Sequence, residues 1–194
     1  MSYENNGISV PGEQADELLT AAAARGDAAA LEMLFERYKR PLYSYLNRML
    51  NSDTMTADDI FQELWIKVMN KLPKYREQGK FSAWIFQVAR NQVLEHFRRE
   101  KSRAKIGAVT DDGSVPETAA DRNIDPAGML SACELEEKLE TLLQQLPPEQ
   151  REVFTLRQDG LSFKEIAEIQ KCPLNTALGR MHNCLKFLRR HLCQ

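Results

Sequence analysis

The chain has 194 residues, with 26 Lys and Arg against 28 Asp and Glu and a formal net charge of −2. That length suits one ordinary domain or two small ones and excludes a large multidomain enzyme. Hydrophobic residues at 43% and charged residues at 28% belong to a globular chain rather than a disordered one, and nine Gly with eight Pro leave few turns for a many-stranded sandwich or barrel. No apolar run approaches the roughly 20 residues of a spanning helix, and Met1–Pro11 lacks the basic-then-apolar layout of a signal peptide. A cytoplasmic protein without membrane insertion is expected. The cysteines Cys133, Cys172, Cys184 and Cys193 form no CxxC pair. His182 with Cys184, and His191 with Cys193, are two residues apart and so diverge on one helix. Neither a disulfide framework, a metal site nor a cofactor is expected.

Residues 1–13 read as a disordered N-terminus. From 14 to 104 the chain is rich in Ala, Leu, Met and aromatics at helical spacing. The stretch 27–50 is amphipathic, and Pro41 within it should kink or interrupt a helix. Thr56-Ala-Asp-Asp59 opens the next helix as an N-cap with acids in the first turn; Asp59, Gln62, Glu63 and Lys67 lie polar on it, and Ile60, Leu64, Trp65 and Val68 turn inward. A third long helix starts at Phe81 and ends in the basic run Arg98–Lys105. The aromatics Tyr75, Phe81, Trp84 and Phe86 beside those cations suit single-stranded nucleic acid, in which rings stack bases and cations hold phosphates. Trp84, an apolar residue at helical spacing, reads as core more readily than as a base-stacking platform.

Residues 105–130 change character, with Gly, Pro and acids but no sustained apolar period, and read as a linker. Helical pattern resumes over 131–194. Leu135, Leu139, Leu142, Leu143 and Leu146 form a stripe that stops at Pro147-Pro148. Glu149–Asp159 makes a second helix ended by Gly160. Ser162-Phe-Lys-Glu165 fits a capping box opening the short helix Phe163–Gln170, and Lys171-Cys172-Pro173 breaks the chain before a longer helix. In that helix Leu174, Ala177, Met181, Leu185, Leu188 and Leu192 form one inward stripe. Thr176, Gly179, Asn183, Lys186 and Arg190 face outward, flanked by Asn175 and Arg180. A short helix, a tight turn and a longer helix with a polar and basic outer face make a helix-turn-helix, whose second helix fits a major groove. A packed helical hairpin without a DNA role fits the same pattern.

Charge divides along these lines. Arg90–Lys105 holds six basic residues against two acids, and Lys164–Gln194 again six against two, each +4; Ile106–Glu149 holds two basic residues against ten acids, −8. Two cationic surfaces separated by an acidic segment suit phosphate backbones and their masking. The fold class expected is all-α: two small helical domains joined by a flexible linker.

In this order and at these separations, Gly26-Asp-Ala-Ala-Ala-Leu31 with Arg37-Tyr38, Ala57-Asp-Asp-Ile-Phe-Gln-Glu63, Gly79-Lys-Phe-Ser-Ala-Trp84 with Ala89-Arg-Asn91, Leu146-Pro147, Arg151-Glu-Val153, Gly160-Leu-Ser162, Glu165-Ile-Ala167 and Thr176-Ala-Leu-Gly-Arg180 resemble the bacterial RNA polymerase sigma factors of the sigma-70 family, in the short extracytoplasmic-function group. The resemblance covers roughly Ala15–Cys193 and implies a region 2 domain over 14–104 and a region 4 domain over 131–194. It implies that Asp58, Asp59, Gln62 and Glu63 dock on the clamp coiled coil of the largest subunit of core RNA polymerase. It further implies that Tyr75, Gln78, Gly79, Lys80, Val88 and Asn91 capture a flipped base of the melted −10 element, a task suited to a loop and shallow pocket. Arg98, Arg99, Lys101 and Arg103 would follow phosphates near the duplex–single-strand junction. Lys164, Asn175, Thr176, Gly179, Arg180, Asn183, Lys186 and Arg190 would meet the duplex −35 element. Where relatives carry a basic or polar pair, this chain has Leu178-Gly179, with Leu178 at the edge of the buried stripe. No sensory extension follows region 4, so an anti-sigma factor is the expected separate inhibitor.

Such a protein would have no catalysis of its own and no small-molecule substrate. An ordinary helix-turn-helix regulator that binds duplex DNA alone is the alternative, although it needs neither the acidic Asp58–Glu63 face nor the aromatic-basic third helix. An enzyme is disfavoured: His96, His182 and His191 adjoin no plausible nucleophile, and no Gly-rich phosphate loop is present.

Overall fold

Several of the helices begin where a side chain or a proline disposes of unpaired backbone N–H groups. The computed structural model describes residues 13–75, 81–107 and 132–192, with side chains from 16–75, 81–103 and 134–192. The first helix, α1 (Glu13–Ala24), leads through Gly26, at φ +96°, to Asp27. The Asp27 carboxylate accepts from the N–H groups of Ala29 (3.0 Å) and Ala30 (3.2 Å), starting α2 (Ala28–Met49). Asn51 and Ser52, both left-handed, turn the chain to Asp53, which caps α3 (Thr54–Lys71) by accepting from Thr56 N at 3.2 Å. The cap therefore lies three residues before the expected Thr56, whose hydroxyl instead donates to Asp53. A 3-10 turn, Leu72–Lys74, follows at Pro73, and then α4 (Phe81–Gly107).

Pro41 does not interrupt α2. A mid-helix proline costs about 3 kcal/mol, but Leu34, Tyr38, Leu42, Tyr45, Leu46 and Met49 on one face are all buried, at roughly 1.5–3 kcal/mol for each large apolar side chain. Burial outweighs the missing N–H.

The second half follows the expected breaks closely. After α5 (Ala132–Gln144), α6 (Pro148–Gln158) starts with proline in its first turn, and Gly160 at φ +89° follows its end. Ser162 and Glu165 close the full capping box of α7 (Phe163–Gln170): Ser162 N–H donates to Glu165 at 2.8 Å and Glu165 N–H to Ser162 Oγ at 3.3 Å. Lys171, at φ +53°, turns the chain into α8 (Leu174–Leu192). No strand occurs among the described residues.

The N-terminal core joins Leu34, Tyr38, Leu42 and Leu46 of α2, Leu64 and Val68 of α3, and Ile85, Phe86 and Ala89 of α4. It continues without a break into Val153 and Leu156 of α6 and Ile166, Ala167 and Ile169 of α7. A second cluster joins Leu142, Leu143 and Leu146 of α5 with Phe154, Cys184 and Leu188. The two helical modules are thus packed against each other over a shared core. Helix α4 also runs three residues into the segment read as linker; residues 108–131 lie outside the described residues.

Polar groups complete that seam. Glu152 of α6, 3% exposed, accepts from Tyr45 Oη (2.7 Å), Arg90 Nε (3.1 Å) and Gln170 Nε2 (2.8 Å). Burial, then the neighbouring Glu152 carboxylate, pushes the Tyr45 phenol well above its ordinary range. At the rim Arg48 pairs with Glu140 (2.6 Å) and donates to Gln158 (2.6 Å), and Arg151 donates to Asn51 Oδ1 (2.6 Å). Asp159 ends α6 with Oδ2 buried and unpartnered; burial raises its carboxyl to about 7, against the lowering effect of Arg48.

Candidate polymerase and promoter interfaces

Helix α3 buries Ile60, Leu64, Trp65 and Val68, which leaves Asp58, Asp59, Gln62 and Glu63 exposed on the other side, as their spacing predicts. The three acids among them divide between two concavities. Asp58 accepts a hydrogen bond from Tyr43, whose phenol is raised in consequence. It lies on a groove of about 840 Å³ shared with Phe35, Tyr43, Phe61, Arg48 and Glu140. The rings of Phe35, Phe61 and Trp65 pack edge-on or tilted at 4.9–6.3 Å along this side. Asp59 and Glu63 line a polar pocket of about 290 Å³ between α3 and α4, with Gln92, Glu95, His96, Arg99 and Arg103. Gln92 Nε2 donates to Glu63 at 3.2 Å, and Glu95, paired with Lys67 and Arg99, is held below the usual carboxylate range by them. An acidic helix face beside an aromatic groove can take a partner surface that is basic and apolar together.

Tyr75 and Phe81 frame the start of α4. Tyr75 is half-buried, its ring 4.8 Å from Trp84 and 5.6 Å from Phe81. Trp84 is also half-buried. Phe81 and Phe86, at 2% and 1% exposure, are core residues and have no face left for a base. Gln78, Gly79 and Lys80 lie outside the described residues. Val88 is 6% exposed and packs in the core, so its side chain is not on the surface to which the resemblance assigns it. Asn91 is exposed, two turns before Arg98, and Arg98, Arg99, Lys101 and Arg103 are exposed as well; Arg99 is partly neutralised by Glu95 at 2.5 Å. After Asn91 the end of α4 thus presents exposed cations, of which Arg99 and Arg103 turn toward the α3 pocket.

In the C-terminal module, Lys164 of α7 and Asn175, Thr176, Gly179, Asn183, Lys186 and Arg190 of α8 are exposed, an arrangement suited to a groove-binding helix. Two expectations fail here. Leu174, placed in the inward stripe, is 46% exposed, and Leu178, placed at its edge, is 41% exposed. Of the expected stripe Ala177 and Leu188 are buried, joined by Cys184, because α5, α6 and α7 close over the helix on that side. Arg180 is turned back, with Nη1 donating to Gln170 Oε1 at 2.8 Å and 3.6 Å from Cys172 Sγ. Burial pushes the Cys184 thiol up to about 11, and no group of three or more ligating residues able to hold a metal occurs among the described residues.

Residues 34–103 match the family described as Sigma-70 region 2, and residues 136–188 that described as Sigma-70, region 4. The chain belongs to the sigma-70 family. Within it the relatives point to the extracytoplasmic-function group. The chain is 29% identical over 173 residues to the RNA polymerase sigma-H factor of Pseudomonas aeruginosa, covering 87% of this chain and 89% of that one. It is 28% identical over 171 residues to the ECF RNA polymerase sigma-E factor of Escherichia coli K12, covering 86% and 88%. In fold it is similar to the sigma factor RpoE solved with the anti-sigma factor NepR from Bartonella quintana, with TM-score 0.65, 21% identity and coverage of 83% of this chain and 95% of the other. It is also similar to CnrH solved with the cytosolic domain of CnrY, with TM-score 0.64, 22% identity and coverage of 92% and 97%. The sigma family serves transcription initiation, and its all-helical regions 2 and 4 are the two modules described above. No helix among the described residues is long and apolar enough to cross a membrane.

Sequence reasoning missed the seam. Tyr45, Arg90, Glu152 and Gln170 come from four helices and have no common spacing. The available signal was Glu152 itself, a carboxylate directly before the apolar Val153, Phe154 and Leu156, where an unpaired charge would be costly.

Proposed function

We propose that this sigma factor binds core RNA polymerase through the exposed face of α3 and directs initiation by reading the −10 element with α4 and the −35 element with α8. The observation that carries this reading is the presence, in one chain, of an outward acidic face on α3 (Asp58, Asp59, Gln62, Glu63) and two outward cationic helix faces, Arg98–Arg103 and Lys186–Arg190. A regulator of duplex DNA alone has no use for the first. On the cationic faces the charges hold phosphate, and at −10 Asn91, beside the Tyr75–Trp84 rings, meets the extruded base.

The −10 and −35 elements stand about 25 nucleotides apart, roughly 85 Å of duplex at about 3.4 Å per step. Regions 2 and 4 here share one core, so contacting both elements requires the modules to separate. An anti-sigma factor is the proposed inhibitor, supported by the structural relative solved with an anti-sigma factor.

The test is binding of purified core polymerase to the native chain and to a variant carrying Asp59→Ala and Glu63→Ala, followed by transcription from a promoter library. Core affinity should fall about tenfold or more in the variant, with helical content and duplex affinity kept. Equal core affinity refutes the docking face, and tight duplex binding without polymerase favours the regulator.

A further inference from the structure

Packing does not account for the apolar pair at the start of α8. Leu174 and Leu178, one turn apart, are 46% and 41% exposed, while Ala177, Cys184 and Leu188 carry the buried side of the helix. Base edges are met by the N-terminal part of a recognition helix, which is where this pair stands. Its neighbours are the exposed Asn175 and Thr176, and Gly179, around which a Cβ would meet nothing within 4 Å. The one cation in this half, Arg180, is held back by Gln170 at 2.8 Å. The exposed cations Lys186, Arg189 and Arg190 come two to three turns later, placed for backbone rather than base edges.

Major-groove chemistry then favours one kind of base pair. Guanine offers two acceptors that call for a guanidinium or ammonium, whereas thymine offers a 5-methyl group and adenine an acceptor–donor edge that suits an amide. Two exposed leucines and an asparagine, with the guanidinium withdrawn, match A·T pairs. We infer that Leu178, with Leu174, reads thymine 5-methyl groups in the −35 element while Asn175 takes the adenine edge, so that this chain has an A·T-directed −35 specificity. This inference rests on the reading of α8 as the −35 helix.

The test uses holoenzyme assembled from core polymerase and the full chain. A promoter library randomised at −35 yields the preferred duplex, and each thymine in it is then replaced by deoxyuridine, which removes only the methyl. At one or two positions the native chain should lose affinity about fourfold, the worth of burying one methyl group. Leu178→Ala, at an exposed position and with a better helix former, should abolish that thymine–uracil difference. Leu178→Arg should move the selected base toward guanine. If the native chain binds thymine and uracil duplexes equally at every position, or selects guanines whose 7-deaza analogue weakens binding, the inference is overturned while α8 remains the −35 reader. If randomising −35 leaves holoenzyme binding unchanged, the assignment of α8 fails and the inference fails with it.

Discussion

Replacing Glu152 by Leu should weaken the union of the two modules, and replacing Arg90 by Met in the same chain should restore much of it. Glu152 is 3% exposed and accepts from Tyr45, Arg90 and Gln170, and the Arg90 side chain is 16% exposed. Removing one member of a buried ion pair strands the other, at about 3–5 kcal/mol, whereas replacing both by apolar groups of similar volume is often neutral or better. The single substitutions should therefore each cost about 3 kcal/mol or more. The double should cost about 1–3 kcal/mol, chiefly from the Tyr45 hydroxyl and Gln170 amide left without an acceptor. The coupling energy should be at least about 2 kcal/mol. Urea unfolding of the four chains, followed by far-UV circular dichroism and by fluorescence of Trp65 and Trp84, measures the cycle. In the single variants the two signals should separate, because region 4 lets go of region 2 before region 2 unfolds. A coupling below about 0.5 kcal/mol would show that the ion pair does not hold the seam.

Three further outcomes are expected. Burial pushes the Asp159 carboxyl up to about 7, against 3.8 for an unperturbed aspartate, so the folded state holds its proton over a range where the unfolded state has lost it. Stability should fall as pH rises from about 4 through 7 and then level off; Asp159→Asn should remove that slope and stabilise the chain at pH 8 by on the order of 2 kcal/mol. Denaturation midpoints that shift equally with pH in both chains would refute the burial argument. Lys186→Ala and Arg190→Ala should each weaken promoter binding and lower the magnitude of its salt slope by about 1; an unchanged slope removes that residue from the phosphate contacts. Asn91→Ala should slow open-complex formation, read by permanganate reactivity of the melted strand, more than it weakens initial binding. Equal loss in both steps refutes a role in base capture.

The sequence made the helices and their breaks legible wherever one residue decides them. Gly160, the Ser162–Glu165 box and the breaks at Pro148 and Pro173 act locally, and the structure has each of them in place. Pro41 misled because its local cost competes with burial summed over more than five turns of α2. Thr56 misled because Asp53 starts the helix three residues earlier and accepts from the Thr56 N–H itself, so Thr56 already lies inside the first turn. On α8 the three-and-four spacing put Leu174 inward, yet which side of a helix is covered depends on where α6 and α7 lie, and one helix's periodicity does not contain that. The exposed polar residues of α3 and α8 were legible for the opposite reason: their inward counterparts, Ile60, Leu64, Ala177 and Leu188, are unambiguous. Val88 shows the limit of a family correspondence, since a matching position can carry a side chain turned into the core.

One consequence of the common core concerns supply. Val153, Leu156 and Ile166 lie in the same buried cluster as Leu34, Tyr38 and Leu46 of the other half, so parting the halves in water would bare oily surface wherever that cluster crosses between them. Because the halves belong to one chain, their reunion is a unimolecular event, and its balance does not depend on how many copies are present. A molecule released by its partner would therefore close on itself, and the fraction standing open between partners would be the same in a sparse pool of copies as in a dense one.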